Sequence, residues 1–315
     1  AASPVASRRG GRMTARLVSV GNALIDLALD VPHLPARGGD VRGRSRGLHA
    51  GGAANVLLAA RRQGLPAAYA GAHGTGPLGD RVRALLAAEG VEVLLAAHPD
   101  LDTGVDVAFT EPDGERSFAT AFGAEGELDA EALAAIAIGD DDLVHVSGYG
   151  LLDATNGAVL APWVTGLPER ATVLLDPGPL AVAERPAALD AVLARADWVS
   201  ASLAEALALS DEREPEAATR ALASRDRGAI VRLGPEGCLV AVCGSVERVA
   251  GFAVEQVDAT GAGDAHLGAF AAALARGEAP ARAARIANAA AAIAVTRPGP
   301  ATAPTLAEAL ALAGG

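Results

Sequence analysis

Asp258-Ala-Thr-Gly-Ala-Gly-Asp264 runs directly into Ala265 to Arg276, an Ala- and Leu-rich segment that reads as a helix. Three small residues, Gly261, Ala262 and Gly263, stand immediately before the acid. A glycine-bearing turn at a helix start leaves backbone N–H groups unpaired. The helix macrodipole adds partial positive charge at the same end. Together they make a site for a phosphate or another developing anion. Asp264, at the rim, is held near that anion yet free to act on a neighbouring hydroxyl. A carboxylate beside an anion hole suits phosphoryl transfer, in which a protein mainly positions groups and stabilises charge. The plain alternative is a glycine turn whose Asp simply caps the helix.

Around this turn the chain alternates. From Leu128 onward, Ala- and Leu-rich helical segments are interleaved with short apolar runs at Leu143–Val146, Val173–Leu175, Trp198–Val199, Ile230–Leu233 and Cys238–Val242. Such alternation argues a parallel, doubly wound α/β sheet, whose ligands bind outside the carboxyl ends of its strands. Upstream, Arg16 to Val20 reads as a first buried strand, Asn55 to Gly64 and Gly79 to Gly90 as helices ending at Gly, and Ala67 to Ala72 as a strand. Two stretches differ in character. Residues 30–48 are rich in Gly, Pro and Arg, and residues 103–122 alternate around a Pro112-Asp-Gly114 turn, which predicts a hairpin. Both read as exposed β-ribbon set apart from the main body. Phe109, Phe118 and Phe122 supply three of the chain's five Phe there, which suggests a covered apolar face.

The chain has 315 residues, 51% of them hydrophobic but only 3% aromatic, so Ala, Leu and Val must build the core. Small-residue packing fits helices laid closely on a parallel sheet. The net charge is −12, and every basic residue is Arg. That field gives no general attraction for nucleic acid or an anionic membrane. No apolar run suggests a membrane span. Residues 1–12 lack a long apolar stretch and read as a disordered leader or extension rather than a signal peptide. Cys238 and Cys243 are too few for a disulfide framework and are expected to be buried fillers in adjacent strands, consistent with a reducing cytoplasm.

Four separated segments resemble the ribokinase-like, or PfkB, carbohydrate kinases. Asp258 to Asp264 is similar to that family's D-T-T-G-A-G-D signature. His49-Ala-Gly-Gly-Ala-Ala-Asn55, with the Ala-rich helix after it, is similar to its N-terminal signature. Val20-Gly21 with Asp26 resembles its first strand, and Val231-Arg-Leu-Gly234-Pro-Glu-Gly237 its nucleotide-side strand and turn. The resemblance covers about residues 16 to 305. It implies a three-layer α/β/α ribokinase-like domain over 13–315, with lid segments at about 30–48 and 103–122 that often form a dimer interface in relatives.

Carried over residue by residue, the resemblance implies ATP-dependent phosphorylation of a hydroxyl on a small sugar. Asp264 matches the catalytic base, and Gly261, Ala262 and Gly263 the anion hole. Asp26, Gly51, Gly52 and Asn55 match substrate positions: a carboxylate and an amide suit neighbouring hydroxyls, and paired glycines admit a polyol close to the backbone. Gly234, Gly237, Thr260 and Asn288 match the nucleotide side. Glu205 of Ser202-Leu-Ala-Glu205 matches the acid of an N-x-x-E motif that organises Mg²⁺, with Ser202 in place of Asn. Asp258, with Thr260 and the loop around Arg297-Pro-Gly299, matches a monovalent site usually holding potassium. Several departures stand out. The glycine motif is one residue shorter than the ribokinase G-G-x-x-x-N, and Ala replaces the ribokinase lysine beside it, which leaves the sugar open. His266 stands where the family has an apolar residue; it is either packed in the helix or placed to tune Asp264. A nucleoside kinase and a sugar-binding relative without turnover are the rival readings.

Overall fold

The computed structural model describes residues 15–224 and 226–314; the expected leader at 1–12 lies outside the described residues. Among the described residues, thirteen strands form two sheets. The main sheet takes β1 (Leu17–Ser19), β4 (Ala67–Tyr69), β5 (Glu92–Val93), β8 (Leu143–Ser147), β9 (Thr172–Asp176), β10 (Trp198–Ser202), β11 (Gly228–Arg232), β12 (Gly237–Val242) and β13 (Ser245–Ala250). The small sheet takes β2 (Ala23–Asp30), β3 (Arg44–Gly52), β6 (Val105–Thr110) and β7 (Arg116–Ala121). In the main sheet the order is β13-β12-β11-β10-β9-β8-β1-β4-β5. All its pairings are parallel except β11–β12 and β12–β13.

Helices cover both faces of the main sheet, so its strands are apolar at successive positions. Alternation sends Leu17, Leu174, Trp198 and Ile230 to one core, and Val18, Leu175, Val199 and Val231 to the other. The first core also holds the helices Ala53–Arg62, Ala262–Ala275 and Pro280–Ala294. Trp198 meets Phe270 edge-on, with ring centroids 4.9 Å apart at 76°, a geometry worth about 0.5–1.5 kcal/mol beyond area burial. Small residues bring these helices unusually close. A Cβ on Gly268 would lie 2.5 Å from the Val56 carbonyl oxygen, so the helices bearing Asn55 and Asp264 can touch only because residue 268 has no side chain.

The chain leaves the main sheet after β1 and enters the small one at once. Asp26 therefore lies on the second strand, in the small sheet, and not on the first strand as expected. The small sheet runs β3-β2-β6-β7, with β2 and β6 parallel and the two outer pairings antiparallel. Its first strand pair starts earlier than the composition of 30–48 suggests: residues 31–43 form no strand, and β2 begins at Ala23. The reason is that Ala23 to Leu29 is apolar enough to pass for core. The hairpin around Pro112–Gly114 joins β6 and β7 as expected.

Two further expectations are corrected. Phe109 pairs with Ser117, and Phe118 with Ala108, so Phe109 and Phe118 project from opposite faces of the hairpin. The Phe residues do not make one apolar face. Cys238 is buried in β12, but Cys243 is exposed in the turn after it, at φ 50, because Cys243-Gly244 reverses the chain between antiparallel β12 and β13. No helix among the described residues is long and apolar enough to cross a membrane.

Candidate active site

Asp264 sits in the first turn of the helix Ala262–Ala275, behind Gly261, whose φ of 74 is left-handed. That conformation suits glycine and turns the chain sharply from Thr260 into the helix. No side chain caps this helix. Asp264 is therefore not its N-cap, and the helix start presents first-turn N–H groups to the cleft. The Ala262 N–H is turned back onto the Ala259 carbonyl at 3.2 Å, which leaves Gly263 and Asp264 as the natural anion donors.

The Asp264 carboxylate accepts a hydrogen bond from Asn55 Nδ2 at 3.1 Å. Burial first, then the negative charge of Asp176, push its pKa up to about 7, against the Asn55 bond and the nearby Arg232. Asn55 is itself buried, and its Oδ1 has no partner. Asp26 faces the same space. Burial, then the charges of Asp106 and Asp264, lift its pKa to about 7 as well. Gly51 lies beneath it: a Cβ there would fall 2.1 Å from Asp26 Oδ1. Gly52, at φ 58, turns β3 into the helix Ala53–Arg62, and a Cβ would lie 2.3 Å from the Asn22 carbonyl. The fold thus brings Asp26, Gly51, Asn55 and Asp264 to one point from positions far apart in sequence.

Beside the glycine turn stands a charged network that sequence reading missed. Arg232, at the end of β11, donates to Ser200 Oγ at 2.6 Å and Asp176 Oδ2 at 3.3 Å, and lies 3.7 Å from Glu205 Oε2. Its guanidinium is 3.6 Å from where a Gly263 Cβ would be. The one available signal was position: Asp176 and Arg232 both end parallel strands, where ligands bind. Glu205 is buried and closes a capping box, its Oε2 accepting from Ser202 N at 2.8 Å. It is not a solvated helix residue. Burial and Asp176 hold its pKa above the usual range, against Ser202 and Arg232. Asp176, Glu205 and Asp264 thus share one nearby guanidinium, and burial first, then repulsion from Asp176, raises the pKa of the last two. Two neighbouring carboxylates, Asp176 and Glu205, are hard oxygen donors of the kind that hold Mg²⁺ largely through water.

The potassium position fits less well. One Asp258 oxygen accepts from Thr260 N at 2.9 Å and Thr260 Oγ1 at 2.6 Å, and the other from Gly299 N at 3.0 Å. Arg116 reaches the same carboxylate at 3.5 Å and Arg46 at 3.7 Å, both from the small sheet, and Arg116 also bonds Thr260 Oγ1. Burial opposes the charge of Asp258, but the Thr260 and Gly299 bonds and Arg116 outweigh it and hold its pKa low. Two guanidinium groups already supply the positive charge at this carboxylate.

On the nucleotide side, Gly234 and Gly237 shape the β11–β12 turn at φ 61 and 97. A Cβ on Gly237 would meet the Val249 carbonyl at 2.2 Å. Asn288 is buried; its amide donates to the carbonyls of Val249 at 3.0 Å and Ala250 at 3.2 Å and accepts from His266 Nε2 at 3.1 Å. Both its donors are engaged by the protein. His266 is equally buried, and burial, then Arg232, press its pKa down to about 3 despite Asn288. Its Nε2 is engaged by Asn288, and its Nδ1 is buried without a partner. A cleft of about 460 Å³ opens between Gly114, Arg116 and Phe118 of the hairpin and Thr260 and Gly261 of the turn, within the usual range for small-molecule sites.

Comparison with known proteins gives the family. The family described as pfkB family carbohydrate kinase matches residues 14–306. The sugar kinase YegV of Escherichia coli, itself described as uncharacterized, is 33% identical over 299 residues, 92% of each chain. Ribokinase of Haemophilus influenzae is 27% identical over 91% of this chain and 94% of its own. A crystal structure of a putative ribokinase II from E. coli in complex with ATP and Mg²⁺ superposes with a TM-score of 0.80 at 27% identity, covering 95% of this chain and 98% of that one. A family match across nearly the whole chain, together with a relative one-third identical along it, means that the chain belongs to the pfkB family of carbohydrate kinases.

Proposed function

We propose that this protein transfers the γ-phosphoryl group of ATP to a hydroxyl of a small sugar, with Asp264 as the general base. The observation that carries the reading is the Asn55–Asp264 pair at an uncapped helix start, with Asp264 poised at about 7. A base works best when its pKa lies near the working pH. Asp26 and Asn55 orient the sugar. Asp264 takes the hydroxyl proton as that oxygen bonds to the γ-phosphorus; the bond from phosphorus to the bridging oxygen breaks, and ADP leaves with the electron pair. First-turn N–H groups and Arg232 offset the charge that spreads over the transferring group. Bound with the nucleotide, Mg²⁺ would be held by Glu205 and Asp176 and would neutralise phosphate charge. Gly234, Gly237 and Thr260 border the nucleotide, and Asn288 fixes the end of β13 beside it. The small sheet acts as a lid that excludes water from the transfer site.

One observation favours a nucleoside as acceptor: Phe118, 57% exposed, lines the cleft, where a base could stack on it. ADP release with Mg²⁺ across sugars and nucleosides, with Asp264→Asn alongside, tests both readings. Sugar-dependent release that collapses in the variant supports the proposal. Release that survives in the variant removes Asp264 from its role, and a preference for nucleosides moves the substrate class. Binding of sugars without any release would make the chain a binding protein.

A further inference from the structure

The small sheet carries a second carboxylate into the substrate site. Asp26 on β2 pairs in register with Asp106 on β6, and Asp106 with Thr120 on β7. Paired residues on neighbouring strands project to the same face, about 4.8 Å apart. Asp26 feels the charges of Asp106 and Asp264, and Tyr149 those of Asp106 and Asp264 too, so Asp106 stands beside Asp26 on the face turned towards Asp264. Thr120 Oγ1 donates to Asp106 Oδ1 at 2.8 Å and so aims the carboxylate. His49, paired with Asp26 on the other side, contacts the Arg46 carbonyl at 3.2 Å.

The polar lining that results accepts hydrogen bonds and offers few. It comprises the carboxylates of Asp26, Asp106 and Asp264 and the buried and unpartnered Asn55 Oδ1, against the single hydroxyl of Tyr149, whose pKa is raised by burial and then by Glu205, Asp176, Asp106 and Asp264. That orphaned oxygen is independent of the acids and itself calls for a donor from a ligand. The cations nearest the site are engaged elsewhere. Arg46 binds Asp30 and Asp258, Arg116 binds Asp258 and Thr260, and Arg232 binds Asp176 and Ser200. The chain has no Lys.

Resting on the sugar-kinase reading, we propose that this site selects a hydrogen-bond-donating polyol that is neutral or carries an ammonium group, rejects sugar acids and sugar phosphates, and owes this charge selection to Asp106. A carboxylate or phosphate on the sugar would face three acids without a free counter-ion. An ammonium placed between Asp26 and Asp106 would relieve their mutual repulsion and donate to both.

The test uses the full chain and sugar sets that keep the pyranose ring and change one substituent: glucose, glucosamine, glucuronate and glucose 6-phosphate, with the corresponding galactose series. Binding is measured by calorimetry without nucleotide, and turnover by ADP release, for the unaltered protein, Asp106→Asn and Thr120→Val. In the unaltered protein the anionic members should bind about tenfold or more weakly than their neutral parents, and the amino members at least as tightly. In Asp106→Asn the ratio of amino to neutral affinity should fall about tenfold, and the penalty on the anions should shrink. Thr120→Val, which keeps the charge and loosens its aim, should move the ratios in the same direction by less. An acid or phosphate bound as tightly as its parent overturns the proposal, as do ratios unchanged in Asp106→Asn or the absence of binding by every sugar. Charge-ordered binding without ADP release would leave this inference standing and remove the kinase reading instead.

Discussion

Replacing Asp264 with Asn should stop the chemistry and make the protein more stable, and the second effect should depend on pH in a defined way. The Asp264 pKa rises from 3.8 to about 7 on folding. The folded protein therefore holds this proton more tightly than the unfolded chain does. Its contribution to stability is complete below a pH of about 4 and is lost as pH rises towards about 7. At about 1.36 kcal/mol per pH unit, the ionised carboxylate costs the folded state roughly 4 kcal/mol at about pH 8. Water reaching the partly open cleft reduces that figure, so the variant should gain about 1–3 kcal/mol at about pH 8. For a chain of this size that is a rise of about 2–6 °C in Tm. Asparagine keeps an oxygen to accept the Asn55 bond, so the fold is not otherwise disturbed. Thermal unfolding at about pH 8 and about pH 4.5 measures the difference, which should shrink or vanish at the lower value. The same substitution should lower kcat by about 10²–10⁴-fold, and in the unaltered protein kcat/KM should rise as pH passes through about 7, the ionisation range of Asp264 and Asp26. A variant less stable at about pH 8, or stabilised equally at both pH values, would refute the view that a buried, charge-crowded carboxylate stands at position 264.

Three other outcomes follow from particular contacts. Gly51→Ala places a Cβ where Asp26 Oδ1 now lies; displacing that carboxylate by an ångström should cut kcat/KM by about 100-fold while leaving Tm little changed, as read from ADP release and a melt on the same sample. Because Arg46 and Arg116 already supply positive charge to Asp258, activity at equal ionic strength should differ by less than about twofold between KCl and NaCl; strong potassium activation would show that the guanidinium groups do not take the cation's place. Gly268→Ala drives a methyl into the Val56 carbonyl, so urea unfolding should report a loss of about 1–3 kcal/mol, and an unchanged midpoint would mean that the two helices separate freely.

The glycine turn and the helix after it were legible before folding because their geometry is local. Gly261 must take a left-handed turn, and the helix after it needs no long-range partner to expose its N–H groups. The same holds for the parallel strands, whose apolar runs are buried on both faces whatever their order. The pairing of Asp26 with Asp106 was not legible, because it depends on the register between β2 and β6, some eighty residues apart. Neither was the network of Asp176, Glu205 and Arg232, which exists only because β9, β10 and β11 end side by side. His266 and Asn288 show the reverse case. Their side chains suggest chemistry by type, yet burial against β13 binds them to each other and to the backbone. Sequence alone determined where a glycine turn, a helix start and an acid follow one another, since that geometry resides in the local chain. Tertiary structure decided which carboxylates crowd together, which arginines are already paired and which pKa values rise, because burial and charge–charge distance exist only once distant strands are laid next to one another.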